Sequence, residues 1–357
     1  MVCSSRRWLR LCRHRNAADR NAQVVPCQDW SVTSAELEAA RAGDEEAFAS
    51  LVAPFHRELH LHCYRITGSV DDADDVMQEV LLAAWNGLPG FAGRASLRTW
   101  LYRIATTRSL NARRQQSRRP RPAPIPPFMP PTPTDRFDQP HLQPYPDRLV
   151  DEVDPALRAV ARESIELAFV VALQRMPPRQ AAVLMLCDVL AFTVTEAAEM
   201  LSIAPTAAKG LLQRGRSARP STVPAAAGAD NTRLARKFAE AFSRDDIDAV
   251  LQLLTDQCWL AMPPASERYL GRNAVGSFLR ASAAGRPGGH YSLAAVTAGG
   301  RPGFVCYLQG RPRGLLVIEP TPDGQGIASI MRFLDDGLHR HFGVPDSSSG
   351  SGVVPVD

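Results

Sequence analysis

One segment restricts the fold of this chain more than any other: residues 116–150 contain eleven prolines in 35 positions. Proline has no amide hydrogen and fixes φ, so neither a helix nor a sheet can continue through this density. We expect an extended, semi-stiff tether with globular parts on either side. A second, weaker boundary is the segment RPSTVPAAAGAD at 219–230.

These boundaries divide the 357 residues into parts of ordinary domain size. In chain order we predict a disordered basic arm (1–33), a helical domain (34–115), the proline-rich linker (116–151), a second helical domain (152–219), an α+β domain (230–345) and a disordered tail (346–357). Seven dispersed cysteines without a CxxC pair argue against a disulfide framework or a structural zinc site. The longest apolar runs are too short to cross a bilayer, so we expect a cytoplasmic protein without a membrane partner.

The first helical domain carries two charge patterns of opposite sign. DDADDVMQEV at 71–80 has five acids and no base, and Ser69 before it is a suitable N-cap with acids in the first helical turn. From Arg94 to Arg121 there are nine arginines and no acid. Alone, the acidic run is more often a solvated helix face, and the arginine run a general nucleic-acid patch or a disordered flank. Side by side, they indicate two different partners.

The second helical domain contains the segment TVTEAAEMLSIAPTAAKGLLQRGRSA at 193–218. It predicts two short helices joined by SIAP, with Pro205 in the first turn of the second helix. This is the pattern of a helix-turn-helix, whose second helix enters the major groove of DNA. The pattern alone is weak, because many helical pairs joined by a short turn bind nothing.

The C-terminal domain begins with amphipathic helices and continues with apolar segments of strand length, which predicts an α+β cone. Its large side chains either fill the cone or line a ligand pocket: Trp259, Met262, Tyr269, Tyr307 and Phe333. An enzyme would need an acid–base pair facing the cavity, and no spacing makes a dyad of the candidates Asp248, Glu267, Tyr269, His290 and Tyr307. We predict no catalytic residue, no metal site and no cofactor.

Three segments resemble parts of a known family. HCYRITGSVDDADDVMQEVLLAAW followed by FAGRASLRTWLYRIATTRSLNARR resembles region 2 of the extracytoplasmic-function sigma factors of the sigma-70 family. MPPRQAAVLMLCDVLAFTVTEAAEMLSIAPTAAKGLLQRGR resembles their region 4. WLAMPPASERYLGRNAV resembles the SnoaL-like, nuclear-transport-factor-2-like extension of one actinobacterial subset. The implied fold class is multidomain, with two all-α domains followed by an α+β cone-like domain.

The resemblance also implies partners for both charge patterns. The acidic helix would dock on a coiled coil of the largest subunit of the RNA polymerase core, through Asp71, Asp72, Asp75, Gln78 and Glu79. The basic helix and the loop before it would hold the melted −10 promoter element through Arg94, Ser96, Arg98, Arg103, Arg108 and Arg113. The second helix of the helix-turn-helix would read the −35 element in duplex DNA through Thr206, Lys209, Gln213, Arg214 and Arg216.

The sequence therefore predicts an RNA polymerase sigma factor that is not itself an enzyme and whose activity is modulated by its C-terminal domain. Two alternatives stay open. A conventional helix-turn-helix regulator would bind duplex DNA without polymerase, and it would leave the acidic helix unexplained. An enzyme or sensor would act on a small hydrophobic ligand in the C-terminal cavity.

Overall fold

The computed structural model describes residues 34–118, 122–151, 155–218, 229–286, 289–347 and 353–354. The predicted basic arm lies outside these ranges. Within them, no helix is long and apolar enough to cross a membrane.

The first helical domain is built on a layer of packed helices. These are α1 (Ser34–Arg41), α2 (Glu45–Val52), α3 (His56–Thr67), α4 (Val70–Gly87) and α5 (Leu97–Gln116). Helices α3, α4 and α5 pack against one another around fully buried side chains such as Ile66, Val80 and Leu101. We call α4 the acidic helix and α5 the basic helix. Both form where the charge patterns predict them.

The second helical domain follows a short helix of the linker, α6 (Asp147–Asp151). Its helices are α7 (Pro155–Ile165), α8 (Leu167–Arg175), α9 (Pro178–Leu184), α10 (Val194–Leu201) and α11 (Pro205–Ser217). A π-helical turn, Met185–Val189, extends α9. The helical conformation is interrupted between α8 and α9 at Pro177, since proline cannot continue the helix. We call α11 the recognition helix.

The C-terminal domain combines helices with a mixed sheet. Its helices are α12 (Ala229–Ser243), α13 (Ile247–Leu253) and α14 (Arg272–Ala284). Its strands are β2 (Leu254–Ala261), β3 (Glu267–Leu270), β4 (Ser292–Ala298), β5 (Arg301–Leu308), β6 (Arg311–Pro320), β7 (Ile327–Phe333) and β8 (Val353–Val354). With β1 (Asp135–Arg136) from the linker, the order is β1-β3-β2-β7-β6-β5-β4-β8. Only the pairs β2–β7 and β4–β8 are parallel among the described strands. The predicted fold class is confirmed.

The two faces of this sheet belong to different cores, because successive side chains of a strand point to opposite faces. Leu260, Leu316 and Ile330 pack with the helices of the C-terminal domain. Val317 and Met331 point the other way and share one hydrophobic core with both helical domains. The C-terminal sheet is therefore packed on the helical domains rather than held at a distance from them.

The expectation of an extended tether is wrong. Phe137, Leu142 and Tyr145 of the linker are each less than 5% exposed and belong to the core shared with the helical domains. The prolines exclude long regular structure, but they do not prevent the side chains between them from being buried. The predicted disordered tail also differs, since Val353–Val354 pairs with β4.

Candidate polymerase and nucleic-acid interfaces

The acidic helix begins at a side-chain cap. The Ser69 hydroxyl accepts a hydrogen bond from the backbone N–H of Asp72 at 3.2 Å. The apolar stripe of the helix is buried, so the opposite side of its later turns faces solvent. There Leu82 is 52% exposed, next to predicted contact residues that are also exposed. We call this surface the open acidic face; it consists of Asp75, Gln78, Glu79 and Leu82.

Leu82 is a candidate that the sequence interpretation missed. It lies three residues after Glu79, one helical turn along the same face. The only signal in the sequence is its position outside the apolar stripe. An apolar side chain beside acids suits a protein partner better than a nucleic acid, because it gains by burial and the acids would repel phosphates.

The first turn of the acidic helix is covered by other parts of the chain. Gln143 of the linker donates from Nε2 to an oxygen of Asp71 at 2.6 Å, and its Oε1 accepts from the Ser69 hydroxyl at 2.7 Å. His341 of the C-terminal domain places Nε2 at 2.7 Å from the other Asp71 oxygen. Asp72 accepts a hydrogen bond from Gln116 at 2.7 Å. Asp71 and Asp72 are therefore already engaged within the chain.

A histidine pair continues this covered region. His60 lies between the Tyr145 hydroxyl and Asp74, at 2.9 Å from each. Burial raises the pKa of the Asp74 carboxyl, but the hydrogen bond and charge of His60, with the charge of His341, outweigh it and lower that pKa. The pKa of Asp75 is raised by burial and by the acids around it. The acids of this helix thus differ by whether a histidine faces them.

The basic helix has open and covered positions. Ser96 caps it by accepting from the backbone N–H of Thr99 at 3.1 Å, and both Ser96 and Arg94 are exposed. Arg103 and Arg108 are exposed on the helix, with Arg108 at 3.8 Å from Glu79. These side chains form a basic surface next to the open acidic face.

Two predicted −10 contacts are instead engaged by the second helical domain. Arg113 is 8% exposed, and its Nη2 donates to the carbonyls of Leu173, Gln174 and Met176 at 3.1, 2.8 and 2.8 Å. Burial lowers the pKa of its guanidinium to about 10. Arg98 lies over the ring of Phe192, 4.8 Å from its centre. In this arrangement the carbonyls at the end of α8 accept the hydrogen bonds of Arg113, so the predicted contact of Arg113 with DNA would require these bonds to break.

The helix-turn-helix forms as predicted. Thr193 and Glu196 make a capping box at the start of α10, and Ser202 ends that helix at φ 52°. Ala204 makes no side-chain cap, and Pro205 occupies the first turn of the recognition helix. Ala208, Leu212 and Gly215 are buried against α9 and α10, so the opposite side is exposed: Thr206, Lys209, Gln213, Arg214 and Arg216. One of these, Arg216, is paired with Asp188 at 2.7 Å.

The structure places two of the five candidate pocket residues of the C-terminal domain at a cavity. A cavity of about 590 Å³ lies between the sheet and the helices, and Met262 and Tyr269 line it. Trp259, Tyr307 and Phe333 lie on the other face of the sheet and pack into the core shared with the helical domains. Strand alternation separates the two sets, and a list of large side chains does not record that alternation.

Four of the five candidates for an enzymatic acid–base pair make separate structural contacts. Asp248 pairs with Arg280 at 2.6 Å, and His290 with Asp245 at 2.7 Å. The hydroxyls of Tyr269 and Tyr307 donate to the carbonyls of Pro131 and Pro345, at 3.0 and 2.7 Å. Glu267 lines the cavity together with Tyr269. In the part of the chain that the structure describes, no group of three His, Cys, Asp or Glu side chains could hold a metal.

Known families match each of the three domains. Residues 51–119 match the model of Sigma-70 region 2, residues 166–218 that of Sigma-70 region 4, and residues 235–341 that of the SnoaL-like domain. Together with the fold, these matches define the class: a sigma-70-type factor with a SnoaL-like C-terminal domain.

Curated relatives extend this similarity to most of the chain. The ECF RNA polymerase sigma factor SigG of Mycobacterium tuberculosis is 37% identical over 321 residues, which are 86% of this chain and 85% of SigG. SigM of the same species is 28% identical over 52% of this chain and 82% of its own. The chain therefore belongs to the ECF RNA polymerase sigma factor family. The crystal structure of Mycobacterium tuberculosis SigJ shares the fold, with a TM-score of 0.53 and 20% identity over 81% of this chain and 98% of that one.

Proposed function

We propose that this protein binds the RNA polymerase core through the open acidic face and recognises promoters with its two helical domains. The observation that carries the proposal is the segregation of charge in the first helical domain. Exposed acids with an exposed leucine stand beside exposed arginines on the neighbouring helix. The acidic side suits a basic coiled coil, where charge complementarity speeds association.

The basic surface suits DNA. Arg94, Arg103 and Arg108 are exposed, and each duplex phosphate that they neutralise adds about 0.9 to the slope of log affinity against log salt. Melted DNA also requires stacking surfaces. Phe91 and Trp100 are only half-buried and contact each other at the start of the basic helix, with ring centres 5.1 Å apart and ring planes tilted by 40°. We infer that the −10 element enters here and that the recognition helix takes the −35 element.

The arrangement of the domains corresponds to a resting state. The −10 and −35 elements are named for positions about 25 base pairs apart, which at about 3.4 Å per base pair is roughly 85 Å of straight duplex. The two helical domains instead share one core, with Arg113 joined to the end of α8. We infer that they separate before both promoter elements can be bound.

The C-terminal domain is proposed to stabilise this resting state. His341 and Gln143 cover Asp71, and Arg148 beside them donates to the His341 carbonyl at 2.8 Å. Core polymerase docking on the acidic helix would compete with these contacts. Because four of the five acid–base candidates are engaged in structural contacts, we propose regulation rather than catalysis for this domain.

Core binding is tested by charge reversal on the open acidic face. Asp75→Arg should weaken the affinity for purified core polymerase about thirtyfold or more, the size of a lost interfacial charge pair of about 2 kcal/mol with added repulsion. Glu46→Arg makes the same charge change at an exposed position of α2 and is the matched control. Equal affinities of both variants and the wild type, measured by fluorescence anisotropy, would refute docking on this face.

A further inference from the structure

The cavity of the C-terminal domain has apolar walls and an excess of positive charge. Apolar and aromatic side chains make up most of its lining, among them Leu260, Met262, Phe278 and Ile330. Three arginines also line it, against two acids: Arg286, Arg313 and Arg332, with Glu267 and Asp336. Its volume of about 590 Å³ lies in the range of pockets that hold small organic molecules.

Two of the three arginines have carboxylate partners. Arg286 forms an ion pair with Asp245, and Arg313 pairs with Asp336 at 2.8 Å. Arg332 differs, because no carboxylate lies within ion-pair distance of it in the described part of the chain. It is the arginine whose charge is not neutralised by a direct partner.

Arg332 is also buried and incompletely hydrogen-bonded. It is 9% exposed, and its Nη2 donates to the backbone carbonyl of Arg313. Its Nη1 is buried without a hydrogen-bond partner among the described residues. Its guanidinium carbon lies over the ring of Tyr291, 5.1 Å from the ring centre. A buried cation with a free donor is costly unless an anion meets it.

We propose that this cavity binds a small apolar carboxylate, with the carboxylate on Arg332 and the hydrocarbon body between the walls formed by Leu260, Phe278 and Ile330. The planar fork of a guanidinium matches a carboxylate, which can accept two parallel hydrogen bonds. The apolar walls favour a single charged group on the ligand, because a second charge would be buried against hydrocarbon.

The proline-rich linker forms one wall of the site. Phe128 packs edge-on against Phe278, with ring centres 5.6 Å apart, and Tyr269 donates to the Pro131 carbonyl at 3.0 Å. Gly285 permits this approach, since a Cβ there would lie 2.2 Å from the Cβ of Phe128. The ligand therefore competes with Phe128 for the space beside Phe278, and entry moves the linker.

The linker connects this site to the acidic helix. It passes from Phe128 at the cavity through β1 to Gln143, which contacts Asp71. We therefore expect that displacement of Phe128 by a ligand changes the contact between Gln143 and the first turn of the acidic helix.

The test compares an acid with its matched alcohol on the full-length protein. Isothermal titration calorimetry with decanoate and with 1-decanol at pH 7.5 should give a ten- to a hundredfold tighter Kd for decanoate, the range of a charge-assisted hydrogen bond. Arg332→Gln should remove this preference, and Arg332→Lys should retain part of it. Equal affinities for acid and alcohol in the wild type would overturn the proposal without any variant.

A second experiment tests the contact of Phe128 with the site. Phe128→Ala should tighten decanoate binding several-fold, because no side chain then competes for the space. Absence of decanoate binding to both the wild type and Phe128→Ala would overturn the proposal, as would an Arg332→Gln protein that melts normally and keeps the preference for the acid. The readout is binding alone, so failure here leaves the role in transcription untouched.

Discussion

The two helical domains present their predicted contact residues differently. On the recognition helix, all five predicted side chains are exposed. In the first helical domain, Asp71 and Arg113 are engaged by the rest of the chain, whereas Asp75, Glu79 and Arg103 remain open. In the proposed resting state, the covered residues hold the domains together, and a partner would have to compete for them. The proposal therefore places regulation in the first helical domain.

The largest expected effect comes from breaking the contact that joins the domains. Arg113→Met leaves three carbonyls at the end of α8 without their donor, and the loss of such a buried charged group costs about 3 kcal/mol of unfolding free energy. Arg114→Met, at the exposed neighbouring position, should change it by less than about 0.5 kcal/mol. Urea titrations check this. Similar losses for both variants would show that Arg113 does not hold the domains together.

Lowering the pH should distinguish the two helical domains, because the second helical domain has no histidine that could take up a proton. In the first, burial followed by the charges of Arg65 and Arg98 lowers the pKa of His62 to about 3. The folded-state pKa of His62 lies below the unfolded value of 6.5. Its contribution to the free energy of unfolding is therefore present above pH 6.5 and is lost as the pH falls towards 3.

One histidine that stays neutral in the folded state lowers the free energy of unfolding by about 2 kcal/mol between pH 7 and pH 5. His62→Gln can keep a hydrogen bond to Thr106, 2.8 Å from the histidine, and should remove that share of the pH dependence. Unfolding free energies at both pH values measure it. A wild type and a His62→Gln protein with the same pH slope would contradict the assignment.

Uncovering the first turn of the acidic helix should have a smaller effect. The double substitution Gln143→Ala and His341→Ala removes two contacts to the Asp71 carboxylate. Each such half-exposed hydrogen bond contributes about 0.5 kcal/mol, so the affinity for core polymerase should rise about fivefold if these contacts oppose docking. Gln325→Ala, in an exposed turn of the C-terminal domain, is the control. An unchanged Kd would show that these contacts do not oppose the binding of core polymerase.

The smallest effect concerns the open recognition helix. Lys209→Ala should weaken binding to all duplex sequences alike and reduce the slope of log affinity against log salt by about 0.9, the share of one phosphate. Filter binding of the holoenzyme at several salt concentrations measures the slope. Loss of sequence preference with an unchanged slope would instead make Lys209 a base contact.

Local signals in the sequence predicted the helices and the charged surfaces. Ser69 is an N-cap as expected, because capping depends on residues two or three positions away. The partners of Arg113 lie 60 or more positions away, so its helix pattern could not reveal its burial. The prediction of an extended linker was wrong for a related reason. Proline density excludes regular structure, but it does not show that Tyr145 packs against Tyr64, a residue from a distant part of the chain.

The central claim is that this protein initiates transcription through the open acidic face, and it is tested most directly by transcription in vitro. Purified core polymerase and a genomic fragment library would be combined with the wild type, Asp75→Arg, or the double Gln143→Ala and His341→Ala variant. We predict specific transcripts from the wild type, more from the double variant and none from Asp75→Arg. Silence from both the wild type and the double variant, or transcripts unaffected by Asp75→Arg, would contradict this account.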